Sequence, residues 1–130
     1  MITRADLERD LVIVACAISA GIHAALVPEH LEEGAAAAGG FAASAVLLGA
    51  LAIAITRSRR PILLAGAVAL FAGLIVSYAL AVTTGVPVLH PEVEQVEGLA
   101  VFTKLVEVGG LLAAADLLSY RLPAFRRVLA

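Results

Sequence analysis

Three histidines, a ring of glutamates and a single lysine are the residues of this 130-residue chain whose types and spacing could do chemistry. His23 falls inside an apolar run. His30 and Glu33 are three residues apart, as are Glu94 and Glu97, and His90 stands just before the second acidic stretch, Glu92–Glu97. On a helical turn each such i, i+3 pair would share one face. Imidazole with carboxylate is a donor set for Zn, Mn, Fe(II) or Cu(II), whereas Cu(I) wants thiolate or thioether. Met1 is the only methionine and Cys16 the only cysteine, so Cu(I) is disfavoured. The expected metal donors are therefore His23, His30, Glu33, His90 and Glu97. The carboxylate-and-imidazole bundles that hold two iron or manganese ions are a weak analogy, because their paired Glu-x-x-His motifs are missing here.

A second constellation lies deeper. Cys16, Ser19 and His23 follow one another at spacings of three and four, and Glu97 and Lys104 at seven, so each set keeps to one helical face. Lys104 and Glu107 are three apart and can pair. On a helix beginning at Gly98, Glu107 would lie roughly 13 Å along the axis, near the middle of a bilayer. A charge there costs from a few to more than ten kcal/mol unless it is paired and turned inward. Lys104 and Glu107 are thus expected to form a buried polar pair, either structural or acting as a proton relay. A solvated acidic loop with incidental histidines is the competing account of the glutamates. A Ser-His-acid triad could be assembled from Ser19, His23 and Glu107, but no nucleophile elbow supports it. Haem through His23 or His30 is less favoured, since bis-His ligation expects histidines on facing helices and His90 falls in a loop. No phosphate-cradling Gly loop is present, and one cysteine excludes internal disulfides and CxxC chemistry.

The elements that must position these residues are membrane helices. Hydrophobic residues make up 62% of the chain and mean hydropathy is +1.01, well above the roughly 45–50% apolar content of soluble domains. Four segments approach the ~20 apolar residues that cross a bilayer: about 11–27, 34–56, 62–84 and 98–120. Asp6 could cap a short helix before the first. Pro28 is expected to end the first segment or start a short new helix, and Arg57–Pro61 to make a basic turn. All eight arginines (Arg4, Arg9, Arg57, Arg59, Arg60, Arg121, Arg126 and Arg127) fall at one side of the segments, and the opposite connections have neither Lys nor Arg. The positive-inside rule then places both termini in the cytoplasm. The expected architecture is an all-α, up-down-up-down four-helix bundle, one domain over 1–130, in a bacterial inner membrane. The arginines are too dispersed for a nucleic-acid surface. Ile13-Val14-Ala15-Cys16 fits a loose lipoprotein box, but the apolar run before Cys16 is too short for a signal h-region of about 7–15 residues.

Gly39-xxx-Ala43 and Gly40-xxx-Ser44 are small-xxx-small pairs of the kind that let membrane helices approach closely, within the bundle or in a homo-oligomer. Gly21-Ile22-His23, Pro28-Glu29-His30-Leu31-Glu32 and Thr103-Lys104-Leu105-Val106-Glu107 together resemble a group of small uncharacterised four-helix membrane proteins of high-GC bacteria. The resemblance implies the architecture and no chemistry, and it singles out His23, His30, Lys104 and Glu107. The leading functional expectation is a site on the arginine-free side that handles a divalent transition metal. An accessory subunit of a larger membrane complex, or a small membrane enzyme using the same pocket, are the alternatives from other classes.

Overall fold

The computed structural model describes residues 1–87 and 91–121. It contains four helices: α1 (Arg4–Glu33), α2 (Ala35–Arg57), α3 (Pro61–Thr83) and α4 (Gly98–Arg121). Each is long and apolar enough to cross a membrane. All four carry large exposed hydrophobics, among them Val14, Val46, Val76 and Leu105, the surface expected where lipid replaces water.

The first helix is longer than its apolar run. Thr3 is its N-cap and accepts from the Asp6 N–H through Oγ1 at 3.1 Å, while Asp6 Oδ2 accepts from the Thr3 N–H at 3.3 Å. This reciprocal capping box makes residues 4–10 the first turns of α1 and not a separate short helix. Pro28 does not end it either, and lies within the continuous helix. A proline removes one backbone donor, and the turns on either side keep α1 helical. The stop comes at Gly34, whose φ of 153° is open to glycine and whose N–H still bonds to the His30 carbonyl at 3.1 Å. At 1.5 Å per residue α1 is about 45 Å long, against about 30 Å of hydrocarbon. Its His30–Glu33 end is thereby carried past the apolar run, onto the arginine-free side of the bundle. Pro61 opens α3 at a first-turn position, where its missing N–H is no loss.

The start of α1 lies against the ends of α2 and α4. α1 packs most extensively against α2, α4 fits between α1 and α3, and the α2–α3 seam is the thinnest. The core lies almost wholly in the half nearer the arginines: Val12, Cys16, Leu48, Ile55, Phe71 and Leu118 are among its fully buried members. The helices approach closely at Gly110. A Cβ there would stand 2.7 Å from Ala15 Cβ and from the edge of the Phe71 ring. By contrast, a Cβ at Gly39 would meet nothing within 4 Å, and Ala43 is exposed, so that small-residue pair makes no close helix contact among the described residues. The arginines knit the same end together. Arg9 donates to the Ile55 and Thr56 carbonyls at the end of α2, Arg121 to the Arg59 carbonyl, Arg59 to Asp6, and Arg4 to both Glu8 and Asp116.

Candidate functional site

Where the arginine half is filled, the acidic half is hollow. A cavity of about 520 Å³ opens among the four helices and the segment before α4. The contrast follows from the residues: the corresponding stretch of α2, Ala35–Ser44, has Phe41 as its only large side chain. Alanine and glycine cannot fill the space that leucine, isoleucine and phenylalanine fill at the other end.

Beneath the cavity lies a connected polar chain. Glu107 is 0% exposed and accepts from Lys104 Nζ at 2.5 Å and from Ser19 Oγ at 2.7 Å. Lys104 Nζ also reaches the Leu74 carbonyl at 3.4 Å and lies 5.5 Å from the centre of the Tyr78 ring. His23, 6% exposed, has Nδ1 2.8 Å from the Ser19 carbonyl and 3.3 Å from Ser19 Oγ. A carbonyl oxygen only accepts, so Nδ1 carries the proton and donates. In the neutral ring Nε2 then keeps its lone pair, on the opposite side of the imidazole. The chain joins three helices: α1 through Ser19 and His23, α4 through Lys104 and Glu107, and α3 through Leu74.

Higher in the cavity the same device recurs. His30 Nδ1 is 2.9 Å from the Leu26 carbonyl, four residues back, and its Nε2 is 3.8 Å from Glu33 Oε2. Phe41 of α2 packs against both imidazoles, with ring centroids 3.8 Å from His30 and 5.5 Å from His23. Seven residues separate the two histidines, about 10 Å along the helix axis. Tyr78 presents a buried hydroxyl with no hydrogen-bond partner among the described residues.

Of the residues singled out by sequence, His23, His30, Glu33, Glu97 and Lys104 all line this one cavity, with Glu107 just under it. His90 lies outside the described residues. Among the described residues no three His, Cys, Asp or Glu side chains form a group able to hold one ion between them. The Glu94-xx-Glu97 spacing confers no shared helical face, because residues 91–97 are not helical; Glu94 instead donates its N–H to the Ala81 carbonyl at 3.0 Å. His23 does turn inward, but it meets α4 through Ser19 and not directly. That order also argues against a hydrolytic triad. Ser19 bonds directly to the carboxylate, whereas a triad needs the imidazole between the two.

Phe41, Tyr78 and Glu29 also line the cavity and were not among the residues expected to act. A faint signal exists for two of them: Phe41 is the sole aromatic residue of α2, and Tyr78 the sole tyrosine of α3. Electrostatically the lining is one-sided. Among the described residues, Glu29, Glu33, Glu92, Glu94 and Glu97 face a single Lys or Arg side chain, Lys104, which Glu107 already neutralises. Such a space favours cations and disfavours anions. Comparison with protein-family models, with curated proteins and with solved structures gave no match.

Proposed function

We propose that this protein is a multi-pass membrane protein that takes up a cation from the arginine-free side, and that the cation is a divalent transition-metal ion. The observation that carries the reading is the composition of the cavity: five carboxylates, one neutralised lysine and two imidazoles. Each imidazole has its Nδ1 tied to the carbonyl four residues back, which sets Nε2 as the donor atom. His30 with Glu33 would supply one nitrogen and one oxygen at the outer station, with Glu97 on the facing wall. His23 is a second, deeper station, one turn above the Ser19–Glu107–Lys104 chain. At this inner station the Lys104–Glu107 pair would relay the proton displaced as cation charge arrives, Lys104 being the member that holds one.

The bundle sits in a bacterial inner membrane with both termini cytoplasmic, so the acidic mouth faces outward. That orientation rests on the arginine distribution. The decisive experiment is calorimetric titration of Zn²⁺ and Mn²⁺ into protein purified without a histidine tag. Saturable binding that is lost in His30→Ala/Glu33→Gln is the expected result. Wild-type protein that binds neither ion would end the metal reading.

One observation favours a second occupant. About 520 Å³ is far more than a single ion fills, and Phe41 and Tyr78 offer aromatic faces that attract organic cations. Stabilisation by a small quaternary ammonium compound, with no response to Zn²⁺ or Mn²⁺, would move the assignment to that class.

A further inference from the structure

Most of the described arginines at the other end of the bundle have work inside the protein. Arg4, Arg9, Arg59 and Arg121 are held by carboxylates or by backbone carbonyls. Arg57 and Arg60 are not. Both side chains are exposed, and neither has a hydrogen-bond or ion-pair partner among the described residues. They flank the short α2–α3 connection, three residues apart, at one corner of the molecule. Burial of arginine stems does not explain them, and the intramolecular capping that occupies the others passes them by.

Their surroundings indicate what they meet. Ile53 is one helical turn before Arg57 on α2, and Ile62 is two residues after Arg60 on α3; they are 55% and 71% exposed. Each free guanidinium is therefore followed, in the direction of the membrane interior, by an uncovered branched aliphatic side chain. The six described arginines at this end also outnumber its four carboxylates, Asp6, Glu8, Asp10 and Asp116, so the local field is positive. A planar guanidinium binds phosphate through two parallel hydrogen bonds. A ligand with a phosphate at the level of Arg57 and Arg60, and apolar chains along Ile53 and Ile62, is a phospholipid.

We propose that the Arg57–Arg60 corner is a binding site for an anionic phospholipid, whose phosphate bridges the two guanidinium groups. The site is independent of the cavity at the other end. An arginine near an anionic membrane surface contributes about 1 kcal/mol, so losing both weakens lipid binding roughly 30-fold. The experiment is native mass spectrometry of the whole chain in neutral detergent, titrated with phosphatidylglycerol or with phosphatidylcholine. Phosphatidylglycerol binds in preference to phosphatidylcholine. Binding falls by that order in Arg57→Gln/Arg60→Gln and by less in Arg57→Lys/Arg60→Lys, which keeps the charge and loses the paired hydrogen bonds. Inorganic phosphate at matched ionic strength does not compete. Equal binding of the two lipids, an undiminished affinity in the glutamine variant, or displacement by inorganic phosphate would each overturn the assignment.

Discussion

Substituting Lys104 and Glu107 singly and together probes the buried chain most directly, and the structure makes the two single changes unequal. In Lys104→Met the Glu107 carboxylate stays where no solvent reaches it, at 0% exposure, with Ser19 Oγ as its one remaining donor. In Glu107→Gln the ammonium keeps the Leu74 carbonyl at 3.4 Å and the Tyr78 ring face. Its side chain is also 17% exposed, so it can turn up into the cavity. Breaking a buried ion pair costs about 3–5 kcal/mol. Lys104→Met belongs at the upper end of that range and Glu107→Gln at the lower. The double variant removes both charges, and the side-chain amide introduced by Glu107→Gln can still accept from Ser19, so it should return to within about 1 kcal/mol of the parent. Reversible unfolding in mixed micelles, read by circular dichroism, gives all three differences as one thermodynamic cycle. Two single variants as stable as the parent would refute the buried pair, and with it the inner station. A double variant that is stable yet no longer binds a cation would assign the pair to the working site.

Four further outcomes are expected. Gly110→Ala drives a Cβ to 2.7 Å from Ala15 and Phe71 and should cost about 1–3 kcal/mol by overpacking; Gly109→Ala, with nothing within 4 Å, should be neutral or slightly stabilising in the same unfolding assay. Gly34→Ala forces a Cβ onto a φ of 153° and should cost about 1–3 kcal/mol, measured as a shift in the unfolding midpoint. In a Cys16→Ser background, an impermeant thiol reagent applied to whole cells should label Glu92→Cys and leave Ser58→Cys unlabelled; the reverse pattern would invert the orientation. Phe41→Ala should loosen both imidazoles, broadening the His23 and His30 ring resonances without unfolding the bundle.

Much of the fold was legible because lipid imposes simple rules. Runs of apolar residues near the length of a bilayer core had to be helices, and their ends followed from Arg57–Pro61 and Gly85–Pro87. The helix ends depart from the apolar runs where local hydrogen bonding overrides hydropathy. The first segment, read as 11–27, became a helix over 4–33, because a capping box at Thr3 and Asp6 starts it early and Pro28 removes only one donor. The Lys104–Glu107 pair was readable, since two opposite charges three residues apart inside an apolar helix have little choice but to meet. That Ser19 would stand between His23 and Glu107 was not readable. It depends on how α1 and α4 are rotated against each other, and no spacing within one helix contains that angle. The cavity escaped for a related reason. Its volume is set by what α2 lacks opposite His23 and His30, a property of two helices and not of one.

The placement of the core bears on how any cation would move. The polar chain ends downward at Ser19 and Glu107. On α1 the next carboxylate toward the arginines is Asp10 and on α4 it is Asp116, each nine residues away, or about 13 Å along the helix. Between lie Cys16, Ala15, Phe71, Gly110 and Ala114, all buried, with Gly110 drawn against the Phe71 ring. Apart from the Cys16 thiol these side chains offer no donor or acceptor to replace an ion's water, so a cation in the cavity would meet an apolar layer on the arginine side. Passage across the bundle would require α4 to withdraw from Phe71, and the seam with least packing to resist a rearrangement is α2–α3. Binding in the cavity would therefore need no motion of the core, whereas transport would need the Gly110–Phe71 contact to open. If Gly110→Ala wedges that contact apart and raises ion flux into proteoliposomes, the layer is a gate; if it lowers stability without flux, the layer is a floor and the protein a receptor.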